Sequence, residues 1–298
     1  MTSTADTVAS PRAMVWLLRI LWVALAPLLA ASITGGLENA PDSGRLTAAV
    51  LWWAVVAAGV VALVVPSTAA LTGVRMVTPL TVAVAVASLL GGAGTAVGGA
   101  ALGVAVLAAA VALAGETTEA FVQASAYGQE HRFPLRTPAV VLPAAMLVWL
   151  VWGAAVVAAA VLLGNAVWVA GAVVAAAAAA LTLPVVQRLH ALARRWLVLV
   201  PAGVVLHDPV VLGESLMLPS ANLASAGLAL AGTEALDLTG PAAGHAVEIR
   251  AKDMVLAQLR ASRSQPTGRA VHVQSYLAAP VRPGRALAAM AAKGHPVR

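Results

Sequence analysis

Six apolar blocks, at about residues 14–33, 46–65, 71–91, 96–115, 138–163 and 166–186, dominate this chain and hold only two charged residues, Arg19 and Arg75. A run of about 18 or more apolar residues matches the roughly 30 Å hydrocarbon layer at ~1.5 Å of rise per helical residue. Each block is therefore expected as a transmembrane helix with lipid as its solvent. Composition agrees, since 61% of residues are hydrophobic and 10% charged, against about 45–50% and roughly 25% in soluble domains. The first block follows a Ser/Thr-rich leader and lacks a small-x-small cleavage site, so it reads as a retained helix behind a leader of residues 1–13.

Orientation follows from arginines near the helix ends. With six spans, Arg12, Arg75, Arg132, Arg136, Arg188, Arg194 and Arg195 fall on one side and Arg45 on the other, which places both termini in the cytoplasm. Arg19 lies about five residues into the first span and is expected to snorkel to the headgroups, with Trp16 and Trp22 as interface anchors and Pro27 as a kink. Residues 184–298 carry twelve Lys/Arg and six acids, whereas residues 1–183 carry six of each, so the net charge of +6 belongs to the C-terminal part. A basic segment beside a bilayer is attracted to anionic headgroups.

Beyond a basic linker at 187–195 the long apolar runs give way to short alternating segments bounded by Pro, Gly and Asp. Trp196–Val200 and Val204–Asp208 flank Pro201-Ala202-Gly203 as a hairpin with a three-residue connection. Further strands are expected at Ser215–Leu218, Ala235–Thr239, Ala246–Arg250, Val255–Arg260 and Ala270–Leu277, and a helix from Pro283. Alternation assigns Leu216, Leu218, Leu236, Leu238, Val247 and Ile249 to the core of a β domain at 196–293, with a tail at 294–298. The fold class is thus an α-helical transmembrane bundle of six spans followed by a small mainly-β cytoplasmic domain with a C-terminal helix.

That order of elements resembles the bacterial pleckstrin-homology-like domains carried by membrane proteins. The stretches Ala126-Tyr127-Gly128-Gln129-Glu130-His131-Arg132-Phe133-Pro134-Leu135-Arg136 and Val200-Pro201-Ala202-Gly203-Val204-Val205-Leu206-His207-Asp208-Pro209 resemble an actinobacterial family of multi-pass membrane proteins of unassigned function. The resemblance implies the architecture and a bacterial inner-membrane location. It supplies no catalytic residues.

Tests for chemistry return little. No apolar block contains His, Asp or Glu, the chain has no cysteine, and HExxH, GxSxG and Walker-type phosphate loops are absent from the sequence. These absences exclude the corresponding enzyme families, and no enzymatic activity or cofactor is expected. The polar segment 116–137 offers Glu116, Glu119, Glu130 and His131 as hard metal ligands, but reads better as a solvated loop with Phe121, Val122, Tyr127 and Phe133 at headgroup level. The histidines at 190, 207, 245, 272 and 295 have no ligand spacing and are expected at the surface or in hydrogen bonds. Thr95, Gly99 and Gly103 repeat every four positions and suggest a helix-packing strip, within the bundle or between subunits of a homo-oligomer. The basic C-terminal part has only Trp196 and Tyr276 as aromatics and no recognition motif, which argues against nucleic acid. The partners expected are the lipid bilayer and, through residues 196–293, another membrane or cytoplasmic protein. The rival reading is a transporter or channel for an apolar or lipid-like solute.

Overall fold

The computed structural model describes residues 10–260 and 268–298. The chain divides into a helical unit, which runs to Phe121 and includes Val148–Val186, and a β unit made of Val122–Leu147 and Gln187–Arg298.

Among the described residues six helices are long and apolar enough to cross a membrane: α1 (Pro11–Gly36), α2 (Asp42–Val64), α3 (Thr68–Leu90), α4 (Thr95–Leu113), α6 (Leu142–Gly164) and α7 (Trp168–Ala193). A short α5 (Gly115–Ala124) follows α4. The chain is a multi-pass membrane protein with the expected six spans. Local chemistry sets the helix starts: the Ser10 and Ser67 hydroxyls accept from Ala13 N and Ala70 N, capping orphan amides, and Pro11 occupies the first turn of α1.

Helix α1 packs against α2, α3 and α4, and α3 packs against α2 and α4. Indole donors tie the spans together, Trp22 Nε1 to Val56 O at 3.3 Å and Trp52 Nε1 to Ala26 O at 2.9 Å. Trp22 is therefore an interhelix fastener rather than an interface anchor, and Gly59 is its seat, since a Cβ there would stand 2.1 Å from the indole. At Gly44 an added Cβ would stand 2.0 Å from Gly164 O, so α2 and α6 meet backbone to backbone. In α4 the fully buried positions are Ala101, Ala105, Ala108 and Ala112, whose small side chains let neighbouring backbones approach. The strip Thr95, Gly99 and Gly103 is exposed, and a Cβ at either glycine would meet nothing within 4 Å. It lies two residues, or about 200°, round the helix from Ala101, and plays no part in packing within the bundle.

The β unit has two four-stranded sheets. One runs β1 (His131–Pro134), β2 (Trp196–Val200), β3 (Gly203–His207), β4 (Leu216–Pro219), antiparallel throughout. The other is ordered β5 (Leu223–Leu228), β7 (Val247–Leu259), β8 (Arg269–Ala278), β6 (Leu236–Asp237), with β6 parallel to β8. Helix α8 (Pro283–Ala292) adds Ala286 and Met290 to the core. Of the six core residues expected, Leu216, Leu218, Leu238, Val247 and Ile249 are buried, and Leu236 is half-buried against the same cluster.

Several boundaries differ from the sequence reading. The segment 116–137 is not a solvated loop: it forms α5 and then β1, and Phe121, Val122 and Phe133 are buried while Tyr127 is exposed. Residues 187–195 are not a linker, because α7 continues to Ala193 and Arg195 is buried. The β2–β3 connection has two residues, with Val200 paired to Gly203, and a Cβ at Gly203 would stand 2.1 Å from Leu218 O. The two segments expected at 246–250 and 255–260 are one strand, β7, interrupted by a register shift between Arg250 and Val255. The tail at 294–298 bonds to β5, Ala226 N donating to Pro296 O and Arg298 N to Ala226 O.

Candidate functional site

The two arginines inside spans are helix caps. Arg19 donates from Nε and Nη2 to Leu63 O at 3.1 and 2.8 Å, and its guanidinium lies 4.7 Å from the Trp16 ring centroid. Leu63 is in the last turn of α2, where carbonyls lack intrahelical donors and the helix dipole favours a cation. Arg75 does the same for α4, donating to Ala112 O, Leu113 O and the Thr118 hydroxyl. Arg19, expected to snorkel to the headgroups, thus also has a specific backbone partner.

Between α1, α2 and α3 lies a cleft of about 130 Å³, walled by Leu18, Trp22, Leu63, Val74, Val77 and Thr78 among others. The Thr78 hydroxyl is buried without a hydrogen-bond partner. A second cavity of about 70 Å³ lies between α1 and α2, next to Trp52, Trp53 and Arg45, and Arg45 is paired with Asp42.

In the β unit the sequence-predicted arginines differ in exposure and in partner. Arg195 is 1% exposed; its Nε and Nη2 donate to Asp208 Oδ1 and Oδ2 at 2.8 and 2.6 Å, Nη2 also to Thr239 O at 3.0 Å, and Nη1 to Arg136 O. This bidentate pair satisfies the buried charge. It also joins the two stretches of the family resemblance, one ending at Arg136 and the other holding Asp208. Arg136 donates to Ala243 O and His245 O at 3.0 Å, which orders a loop. Arg132 pairs with Glu130 at 2.8 Å and stands 5.1 Å from the Trp196 ring centroid. Arg188 is on α7, and Arg194 is exposed just beyond it.

His207 stacks on Trp196 with centroids 5.1 Å apart, and its Nδ1 is 2.8 Å from Ser215 Oγ. Its Nε2 is buried without a partner. Burial and the nearby Arg194 hold its pKa below the usual histidine value, with Asp208 opposing and Arg132 adding to the depression. Among the described residues no carboxylate orients the ring through Nε2, so there the Ser215–His207 contact lacks the third group of a nucleophilic triad. Burial also pushes the Tyr276 phenol up.

Glu116 and Glu119 belong to the helical unit, and Glu130 and His131 to the β unit. Among the described residues no three His, Asp or Glu side chains gather as a metal site. Sequence reasoning missed the Arg195–Asp208 pair, whose only advance signal is an Arg and an Asp at facing ends of a β hairpin. No protein-family model, curated protein or solved structure matches the chain.

Proposed function

We propose that this chain is a non-enzymatic docking protein of a bacterial inner membrane, in which the helical unit anchors a cytoplasmic, pleckstrin-homology-like β unit. One observation carries the reading. Strand β1 precedes the α6–α7 hairpin and β2 follows it, yet they pair residue for residue, Pro134 opposite Trp196 and His131 opposite Leu199. The β unit is thus stitched to both ends of a transmembrane hairpin, a connection suited to holding a binding module at the membrane. It also requires an even number of crossings between residues 134 and 196, in agreement with the arginine bias. The two-sheet architecture with a C-terminal helix supports the likeness to the pleckstrin-homology-like domains.

For the docking surface, β7 offers Met254 and Leu256, 66% and 55% exposed, beside Lys252. Apolar side chains beside a cation suit a protein partner with an apolar, acidic patch. The test is co-purification from gently solubilised membranes, comparing the natural chain with Met254→Asp/Leu256→Asp. A partner retained by the first and lost from the second is expected. A chain that purifies alone, and on reconstitution moves an apolar solute, overturns the reading in favour of a transporter. The cleft weighs against that rival, because about 130 Å³ is below the roughly 300–1,000 Å³ of ligand-sized pockets.

A further inference from the structure

We propose that the cleft between α1, α2 and α3 is a phospholipid site, in which an acyl chain lies against Gly73 and the Arg19 guanidinium holds the headgroup phosphate. The cleft holds about 130 Å³ and its walls are mainly aliphatic and aromatic. An apolar cavity of about 150 Å³ in a protein core stays free of water and accepts an apolar guest. In a span the apolar material at hand is lipid. Gly73 keeps the cleft open, because it is exposed and nothing stands within 4 Å of where its Cβ would be. A chain segment lying there gains the dispersion contacts that the bare walls lack.

The headgroup half rests on Arg19. Its Nε and Nη2 are fixed on the carbonyl of Leu63, a residue of the cleft wall. Among the described residues nothing bonds Nη1, so one edge of the fork is left for an anion. A phosphate with several acceptor oxygens suits that edge better than any neutral group does. The other cavity makes the contrast, since its arginine, Arg45, already has a carboxylate in Asp42. Arg75 spreads its donors over Ala112, Leu113 and Thr118. Thr78 has no role here, because an acyl chain has no acceptor for its hydroxyl.

The experiment is native mass spectrometry of the full chain released from phosphatidylglycerol vesicles doped with diacylglycerol of the same acyl chains, which lacks the phosphate. One phosphatidylglycerol per chain is expected to survive release. Gly73→Leu fills the cleft from a position with room for a side chain and should lose the adduct. Arg19→Gln should keep the acyl contact but lower the preference for phosphatidylglycerol over diacylglycerol about tenfold, the worth of one charge-assisted hydrogen bond. Thr78→Val should change nothing. Equal adducts on Gly73→Leu and the natural chain, or an unchanged preference in Arg19→Gln, overturn the proposal. A second reading guards against misfolding of Gly73→Leu: chain-brominated phosphatidylglycerol should quench Trp22, measured as the difference between the natural chain and Trp22→Phe. No difference overturns the acyl half.

Discussion

At the scale of the residue, the arginines divide by partner rather than by position along the chain. Arg195 sits among positions that a count of basic residues assigns to the membrane surface, yet it is buried and its guanidinium is filled by Asp208, Thr239 and Arg136. Its role was illegible in the sequence because Asp208 becomes its neighbour only when β2 and β3 pair. Removing one member of such a pair strands the other charge, so Arg195→Met should cost the β unit about 3–5 kcal/mol, and Arg195→Met/Asp208→Leu should recover most of that loss. Denaturant unfolding of the three chains decides it; a single variant as stable as the natural chain refutes the role. His207 belongs to the same neighbourhood. Its pKa is depressed below the ordinary 6.5 in the folded chain, so the unfolded chain binds the proton more readily. Its contribution to stability is therefore present above pH 6.5 and is lost as pH falls below that value. His207→Phe keeps an aromatic ring against Trp196 and should flatten the fall in melting temperature between pH 7.5 and 5. An equally steep fall in the variant assigns the effect to other groups.

At the scale of the element, legibility tracks length and residue type. The transmembrane helices were readable because each long apolar block carries its own reason to be helical in lipid. Strand β1 was not: it is four residues, His131–Pro134, and nothing in them alternates until β2 is opposite. Strand β5 was hidden for a different reason, being Leu-Ala-Ser-Ala-Gly-Leu, poor in the β-branched and aromatic residues that mark strands. The face of α4 that packs within the bundle was not legible because alanine dominates every face of that helix, so spacing alone does not select Ala101, Ala105 and Ala108 over Gly99 and Gly103. The position of β1 has a measurable consequence. A fragment of residues 190–298 leaves the β2 edge unpaired and omits Phe133 and Leu135, both buried in the core. It should melt without a sharp transition, whereas residues 122–137 joined to 194–298 by a short Gly/Ser link in place of α6 and α7 should melt cooperatively. Circular dichroism with heating separates the two, and equal melting of both fragments means that β1 is dispensable.

At the scale of the whole molecule, one sheet constrains the path of the chain through the bilayer. Because β1 and β2 share that sheet, the segments before α6 and after α7 lie on the same side, and six spans then carry the Leu37–Pro41 turn to the other. On the function proposed above, the arginine bias puts that sheet on the cytoplasmic side. The chain has no cysteine, so single cysteines report without background. Glu38→Cys should react in intact cells with a maleimide that does not cross the membrane. Tyr127→Cys and Leu230→Cys, at positions 79% and 71% exposed, should react only after lysis. Protection of Glu38→Cys with reaction at both others would reverse the orientation and leave the fold intact. Reaction at only one of Tyr127→Cys and Leu230→Cys would be more damaging, since no even number of crossings separates two sides, and the pairing of β1 with β2 would have to be abandoned with it.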